Sequence, residues 1–212
     1  GYHVAISGRT KETIDQAAEK LNKIKPGAVL GIVSDVRNQA DEEAAARQII
    51  DKWGRLDVLV ANAGLGHFAS IDEMSSEQWK EVIDTNLTGV FHSIKAASEE
   101  LKKNKGYFIT IASLAGANFF PKGAAYNASK FGLVGFTQAV MLDLRPYEVK
   151  TTTIMPGSVS TFFNDNEPDA SDSWKIQPED LGQMVSDLLK MHPRTLPSKI
   201  EVRPSLPPSA RK

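Results

Sequence analysis

Cysteine is absent from the chain, which excludes disulfides and thiolate chemistry. No apolar run approaches the length of a membrane-spanning helix, and the first ten residues, GYHVAISGRT, lack the basic and then apolar pattern of a secretory signal. No charge of one sign dominates, because 25 basic residues face 26 acidic ones and no basic run marks a surface for nucleic acid. We therefore expect a cytoplasmic protein with neither a membrane nor a nucleic-acid partner.

The length and composition predict one domain with a single core. The chain has 212 residues, of which 41% are hydrophobic, and its formal net charge is −1. These values suit a folded domain. We assign residues 1–204 to it and the proline-containing residues 205–212 to an unstructured tail. The four histidines show no spacing typical of metal ligands, so we predict no metal site.

Short apolar segments alternate with longer amphipathic ones along the whole chain. This alternation predicts an α/β fold in which helices cover a parallel sheet. Thr10 is predicted to be the N-cap of the first helix, and Ser75 with Gln78 has the spacing of a capping box. The predicted strands are 2–7, 28–36, 56–64, 107–113, 150–155 and 199–203, and the predicted helices are 10–24, 41–53, 75–103, 124–144 and 178–190.

Polar or glycine-containing residues follow nearly every predicted strand. Ligands bind at the carboxyl ends of the strands in open parallel sheets, so these residues are candidates for one binding cleft. A nucleotide-shaped cleft needs endings of this kind. The strand ends carry Ser7-Gly8-Arg9, Asp35-Val36, Asn62-Ala63-Gly64, Ser113 and Pro156-Gly157.

Tyr126 and Lys130 lie four positions apart in a predicted helix, so their side chains share one face. An ammonium beside a phenol stabilises the phenolate, which lowers the phenol pKa and brings proton transfer within reach at neutral pH. Such a spacing also arises by chance, and the other residues of the chain must decide its meaning. Taken alone, Ser113 could bond the local backbone and Asn86 could bond helix carbonyls.

Five ordered elements together resemble the short-chain dehydrogenase/reductase family, and the resemblance covers nearly the whole chain. It implies a doubly wound, Rossmann-type and mostly parallel sheet. The sequence departs from the family at its start, where the family's first strand and glycine-rich phosphate-binding turn are not found. The elements are Asn62-Ala63-Gly64, Asn86, Ser113, Tyr126-x-x-x-Lys130 and Pro156-Gly157-x-Val159-x-Thr161.

The resemblance implies four catalytic roles. Tyr126 would be the general acid that protonates a carbonyl oxygen during reduction, and the base in the reverse direction. Ser113 would donate a hydrogen bond to the same oxygen as hydride arrives from a nicotinamide. Lys130 would lower the pKa of Tyr126 and bind the nicotinamide ribose, and Asn86 would hold a water that links Lys130 to solvent.

The choice of cofactor is predicted from the end of the first predicted strand, residues 2–7. A carboxylate there would accept both ribose hydroxyls, whereas an arginine favours a 2′-phosphate through charge-assisted hydrogen bonds. Gly8 offers no carboxylate and Arg9 follows it, which favours NADP(H); alternatively, Arg9 is a solvated charge near a helix start. By resemblance, Asp35 would bond the adenine amine and Val36 would pack on the ring. Further cofactor contacts implied by the resemblance are Ser7, Asn62, Gly64, Tyr126, Lys130, Pro156, Gly157, Val159 and Thr161, although for Asn62 a structural role at the strand end is favoured.

The sequence says less about the substrate than about the cofactor. Segments 64–68, 114–120 and 158–174 would wall its pocket, and the last of these is predicted to be a mobile lid. They mix aromatic and acidic residues without a cluster of arginine or lysine, which favours a neutral or amphipathic carbonyl compound. A 3-oxoacyl thioester, a pteridine or sugar ketone, and a xenobiotic carbonyl all stay open.

Two functions are compatible with the residues. The first is an NADP(H)-dependent carbonyl reductase, favoured by the set Ser113, Tyr126, Lys130 and Asn86. The second is a catalytically silent relative that binds a ligand or protein, which the missing glycine-rich segment favours. By resemblance we also expect a homodimer or homotetramer built on helices 75–103 and 124–144, whose candidate contacts are Val90, Phe91, Ile94, Phe131, Val134 and Phe136.

The last expectation concerns the neighbours of the first predicted strand in the sheet. In a sheet of order 3-2-1-4-5-6-7, the family's first strand lies between the segments 2–7 and 56–64. We expect these two segments not to be hydrogen-bonded to each other, and the natural protein to have a further strand, a glycine-rich turn and a helix before Gly1. The backbone amides that bind pyrophosphate would lie in that segment, so NADP(H) could be absent from an observed structure.

Overall fold

A computed structural model describes residues 1–210 and has an α/β architecture in which helices cover parallel strands. Residues 211–212 of the expected tail lie outside the described residues, and Pro208–Ala210 forms a single 3-10 turn. The strands are β1 (Val4–Gly8), β2 (Val29–Val33), β3 (Val58–Ala61), β4 (Tyr107–Ile111), β5 (Lys150–Pro156) and β6 (Lys199–Val202), and the helices are α1 (Lys11–Ile24), α2 (Gln39–Trp53), α3 (Ser76–Ile83), α4 (Gly89–Asn104), α5 (Ala124–Leu144) and α6 (Pro178–Lys190).

All the ladders between these strands are parallel, as the alternation of segments predicts. β1 pairs with β2, and the order of the other strands is β3-β4-β5-β6. Within the larger sheet Ala61 lies opposite Thr110, and Thr110 lies opposite Thr153. The carboxyl ends of β3, β4 and β5 therefore meet at one edge. The predicted fold class is confirmed.

β1 and β3 lie in separate sheets. Within residues 1–210, β1 is bonded only to β2 and β3 only to β4, so the expectation that they are not hydrogen-bonded to each other is confirmed. Between them is a cavity of about 670 Å³, lined by residues of both strands, including Val4, Ala5, Val58 and Val60. The open edge leaves Val60 partly exposed although it lies in the middle of a strand.

The core has two faces because side chains alternate along β4. Phe108 points to the face covered by α4 and α5, where it packs with Leu101 and Leu133. Tyr107 and Ile109 point to the face covered by α6, together with Leu188. Full burial of an aliphatic or aromatic side chain contributes about 1.5–3 kcal/mol, so both helix layers are held to the sheet mainly by apolar contact.

The predicted helix 75–103 is divided. Its start is confirmed, since the Ser75 hydroxyl accepts from the Gln78 N–H at 3.1 Å and the Gln78 side chain accepts from the Ser75 N–H at 3.0 Å. α3 then passes into a π-helical turn, Asp84–Thr88, before α4 begins at Gly89. The prediction of one regular helix over residues 75–103 is therefore wrong in the middle of the segment. Such turns widen the backbone spiral and are frequent at functional sites.

Other helix starts differ slightly from the prediction. Thr10 occupies the N-cap position of α1 as predicted, but its side chain makes no capping bond. α2 starts at Gln39, before the predicted residue 41, because the Asn38 side chain accepts from the Ala40 N–H at 3.0 Å. No helix in the described range is both long and apolar enough to cross a lipid bilayer.

Two of the residues expected to contact another copy of the chain are instead buried within it. Val90 and Ile94 are only 3% and 5% exposed, because they lie in the core of the single chain. Phe91 and Phe131 are 43% and 44% exposed, and they remain candidates for a contact between copies.

Candidate active site

Ser113 follows β4 in an extended conformation and caps the 3-10 turn Leu114–Gly116. Its hydroxyl accepts from the Ala115 N–H at 3.1 Å and lies 3.5 Å from the Pro156 carbonyl at the end of β5. These contacts hold the side chain at the carboxyl edge of the sheet. Ser113 also lies beside the phenol of Tyr126, and its hydrogen bond to the phenol acts to lower the phenol pKa.

Tyr126 lies in the first turn of α5, at the same edge of the sheet. Burial raises the pKa of its phenol, and the Ser113 hydroxyl offsets only part of this effect. Desolvation of the phenolate dominates the net shift of this pKa, and the predicted lowering of the pKa by Lys130 stays a prediction. A phenol with a raised pKa holds its proton at neutral pH.

Lys130 lies one turn further along α5 and is buried. Its Nζ lies 5.7 Å from the centre of the Tyr126 ring and donates a hydrogen bond to the Ile111 carbonyl at 3.0 Å. Burial lowers the pKa of Lys130 from 10.5 to about 8. The pair predicted from the sequence therefore shares one volume, with the ammonium bonded to β4.

Asn86 is fully buried in the π-helical turn and fixes the loop after β3. Its Nδ2 donates to the Leu65 carbonyl at 2.8 Å and to the Ser129 hydroxyl at 3.0 Å, while its Oδ1 accepts from the Leu65 N–H at 2.9 Å. A Cβ on Gly64 would lie 3.3 Å from Asn86 Oδ1 and 3.6 Å from Lys130 Nζ. Gly64 therefore passes close to both side chains. The water-holding role of Asn86 stays a prediction.

Three phenylalanines from the three predicted walls surround Tyr126. The ring centres of Phe68 and Phe163 lie 5.5 Å and 5.6 Å from that of Tyr126, and Phe120 lies 5.9 Å from Phe68. A Cβ on Gly66 would lie within 3.0 Å of both Phe68 and Phe163, so these rings close over Gly66. Phe68 and Phe163 thus pack directly against the Tyr126 ring, and Phe120 extends the cluster behind Phe68.

A crevice of about 220 Å³ lies along the ends of β1 and β2 and extends to Gly64, which is close to Lys130. It is lined by five of the predicted cofactor residues, Ser7, Arg9, Asp35, Val36 and Gly64. The other predicted cofactor residues lie outside this lining; they are Asn62, Tyr126, Lys130, Pro156, Gly157, Val159 and Thr161. Thr85 and Arg37 also line the crevice and were missed by the sequence reasoning. The lining residues are Ser7, Gly8, Arg9, Ser34, Asp35, Val36, Arg37, Ala63, Gly64, Leu65 and Thr85.

Asp35 lines the crevice, and its carboxylate accepts several hydrogen bonds. Its carboxylate accepts hydrogen bonds from two side-chain nitrogens of Arg37, at distances between 2.5 and 3.0 Å. It also accepts one from the Arg37 backbone N–H at 3.0 Å. This bonding lowers the Asp35 pKa. The neighbouring Val36 packs on Gly89, where a Cβ would come within 2.7 Å of Val36 Cγ2. The Val36 carbonyl oxygen lies 2.9 Å from His92 Nδ1.

The remaining predicted residues begin the segment 158–174. Gly157 N–H donates to the Val202 carbonyl at 2.8 Å, and Val159 forms a bridge with Ile176. The Thr161 carbonyl accepts from Asn166 at 2.7 Å. Within the segment, the buried Asp172 is paired with Lys175 and bonded by Ser160, so this acidic side chain is engaged inside the wall. Asn62 is exposed at the end of β3.

Comparison with known proteins places this site in a family. The model of the short chain dehydrogenases matches residues 1–172. Trans-4-hydroxycyclohexanecarboxylate dehydrogenase of Sinomonas cyclohexanicum is 34% identical over 76% of this chain and 64% of its own length. A putative ketoacyl reductase of Streptomyces coelicolor is 30% identical over 94% of this chain and 78% of its own. The chain spans about half to two thirds of the length of the first curated relatives.

A solved structure agrees over the whole length of the chain. The alcohol dehydrogenase of the archaeon Thermococcus sibiricus, complexed with 5-hydroxy-NADP, superposes with a TM-score of 0.91 and 25% identity. The superposition covers 100% of this chain and 88% of that one. With the match to the family model, this agreement leads to one assignment: the chain belongs to the short-chain dehydrogenase family.

Proposed function

We propose that the protein is an NADP(H)-dependent oxidoreductase that reduces a carbonyl compound to an alcohol. One observation carries this proposal: Ser113, Tyr126 and Lys130 come from β4 and α5 and meet at the carboxyl edge of the sheet. A hydroxyl donor, a phenolic acid and a buried ammonium have no shared structural purpose there. Together they supply what the developing oxyanion of a reduced carbonyl needs.

The described residues fit the adenosine end and the nicotinamide ribose of NADP(H). The crevice offers the guanidinium of Arg9 and the apolar face of Val36, and it continues past Gly64 toward Lys130. Gly64 leaves space that a side chain would fill beside Asn86 and Lys130. The related archaeal dehydrogenase, whose structure contains 5-hydroxy-NADP, supports the same cofactor class.

The chemistry follows from the three side chains. When bound, NADPH supplies a hydride to the carbonyl carbon. The Tyr126 hydroxyl gives its proton to the carbonyl oxygen, so that one hydride and one proton together convert the ketone to the alcohol. The Ser113 hydroxyl donates a hydrogen bond to the same oxygen and stabilises its developing negative charge. Lys130 holds positive charge next to the phenolate that remains, and Asn86 holds the loop of Leu65 in place.

The substrate is proposed to be a neutral ketone or aldehyde whose carbonyl carries an apolar group. Phe68, Phe120 and Phe163 support this choice because their apolar rings cluster around Tyr126. Asp172 adds no free charge, since Lys175 is paired with it. A 3-oxoacyl thioester and a small ketone both have this character, and the ketoacyl reductase relative supports the former.

A carbonyl panel tests the function. NADPH oxidation is followed at the nicotinamide absorbance with matched pairs that share a carbon skeleton, such as cyclohexanone against 4-oxocyclohexanecarboxylate and a 3-oxoacyl thioester against its free acid. We expect turnover of the neutral member of each pair. Binding of NADPH without turnover of any carbonyl would instead favour the silent, ligand-binding relative.

Arg9 is expected to set the choice between the two nicotinamide cofactors. Arg9→Gln should weaken NADPH binding by roughly ten- to a hundredfold, because one charge-assisted contact to a phosphate is lost, and should leave NADH binding nearly unchanged. Dissociation constants from fluorescence titration measure both effects, with the exposed Arg47→Gln as control. Equal affinity of the unmodified protein for NADPH and NADH would contradict this assignment. Adding Gly8→Asp is a harsher change, because a Cβ at Gly8 would lie 2.9 Å from Ile14 Cδ1.

A homodimer or homotetramer remains our proposal for the assembly. Phe91 on α4 and Phe131 on α5 are the exposed apolar residues that support it. The double substitution Phe91→Glu and Phe131→Glu should reduce the mass measured by light scattering to that of one chain, because charges would then face each other across the contact. A monomeric unmodified protein at micromolar concentration would refute the assembly. Leu142→Glu, on the exposed end of α5, is the control.

A further inference from the structure

The mouth of the adenosine crevice carries two cations and two anions. Arg9, Arg37 and Asp35 line the crevice, and Glu81 lies behind Arg37 on α3. Asp35 has a lowered pKa, chiefly because of Arg37 and further because of Arg9. Glu81 has a lowered pKa, chiefly because of His67 and further because of Arg37 and Arg9. Arg9 therefore lies within the field of both carboxylates.

Arg37 is held between these two carboxylates. It bonds both oxygens of Asp35, with a shortest distance of 2.5 Å, and its Nη1 lies 3.7 Å from Glu81 Oε1. The other oxygen of Glu81 lies 2.9 Å from His67 Nε2. A bidentate guanidinium of this kind is fixed in plane and orientation. The position of Arg37 is thus defined from both sides.

This arrangement has an electrostatic consequence for an anionic ligand. Asp35 is ionised at neutral pH and would repel a phosphate that is bound at Arg9. A 2′-phosphate carries more than one negative charge, and partly exposed charges still interact across several ångströms. A bidentate guanidinium on Asp35 cancels this repulsion. A crevice with Asp35 but without Arg37 would favour a nucleotide that lacks the extra phosphate.

We propose that Arg37 is a specificity-determining residue, which makes the crevice accept a 2′-phosphorylated adenosine by neutralising Asp35. The inference rests on the proposed NADP(H) function and adds a second guanidinium to the determinant at Arg9. Arg37 acts through Asp35, so it is a positioning and charge-compensating residue. It need not touch the phosphate itself.

The test compares two fragments of the cofactor that need only the adenosine crevice. Adenosine 2′,5′-bisphosphate and adenosine 5′-monophosphate are titrated by ligand-observed NMR, and the ratio of their affinities is the readout. Arg37→Gln should lower the bisphosphate preference about 3- to 10-fold, the size of one charge interaction that is screened by water. Arg37→Lys should retain most of the preference, and the double variant Asp35→Asn with Arg37→Gln should recover it.

Matched controls separate this effect from a loss of structure. Arg55 makes the same bidentate contact with Asp57 two residues away, outside the crevice, so Arg55→Gln should leave the ratio unchanged. The effect of Arg37→Gln should also shrink as salt rises from about 0.05 to 0.5 M, because the interaction is screened. An unchanged ratio in Arg37→Gln, or no recovery in the double variant, overturns the inference alone. If the unmodified protein binds neither nucleotide, the proposed cofactor site fails as well.

Discussion

Tyr126→Phe is expected to lower the turnover of a carbonyl substrate by about 10²- to 10⁴-fold, the usual contribution of a positioned general acid. The substitution removes one oxygen and its proton. The ring itself should stay between Phe68 and Phe163, because its contacts with them involve no hydroxyl. Binding of NADPH should therefore change little while kcat falls. Steady-state kinetics and a separate cofactor titration measure the two effects.

The control for this variant is Tyr147→Phe, which removes a phenol from an exposed position after α5. It should leave kcat and KM unchanged. A turnover of Tyr126→Phe within about threefold of the unmodified protein would remove Tyr126 from the mechanism, since a missing proton donor costs far more. A similar fall in NADPH affinity would instead indicate that the phenol belongs to the binding site.

The clustering of Ser113, Tyr126 and Lys130 could be predicted because its geometry is local or topological. Tyr126 and Lys130 are one helical turn apart, and any helix through them places both on one face. Ser113 follows β4, whose carboxyl end must lie on the same edge as the end of β5 in a parallel sheet. The three aromatic walls followed from the same rule.

The electrostatics of the site could not be predicted, because they depend on burial. The sequence places an ammonium near a phenol but does not show that Tyr126 is largely desolvated, which raises the pKa of the phenol. It also does not show that Lys130 donates to the Ile111 carbonyl. The interior location of Val90 was missed for a similar reason, since α4 buries more of its circumference than one stripe.

The contacts of Arg37 show another limit of sequence reasoning. Asp35-Val36-Arg37 reads as a strand end followed by a polar turn, and nothing in this spacing distinguishes a solvated arginine from a bidentate one. The structural pairing arises because the chain turns back at Asn38 to start α2. The π-helical turn at Asn86 was equally hidden, since the apolar pattern of residues 75–103 suits an unbroken helix.

Lys130→Met is expected to make the protein more stable and nearly inactive. Burial lowers the Lys130 pKa from 10.5 to about 8, so the unfolded chain binds more protons than the folded one between these two pH values. Stability should therefore rise with pH across this window, and the full cost of burying the ammonium, roughly 3 kcal/mol, is present below pH 8. Methionine has a similar length and carries no charge.

The expected gain at pH 7 is about 1–2 kcal/mol in the free energy of unfolding, because losing the hydrogen bond to the Ile111 carbonyl costs about 1 kcal/mol. Urea unfolding of both proteins at pH 7 and at pH 10.5 measures it, and the difference should nearly vanish or reverse at the higher pH. Turnover should fall by about 10²-fold or more, because the charge beside the phenolate is lost. Lys20→Met, at an exposed position of α1, should change neither quantity. A Lys130→Met variant that is less stable than the parent at pH 7 would show that this lysine supports the fold. A variant that is more stable and has lost its activity would show that the buried charge is kept for catalysis at the expense of stability.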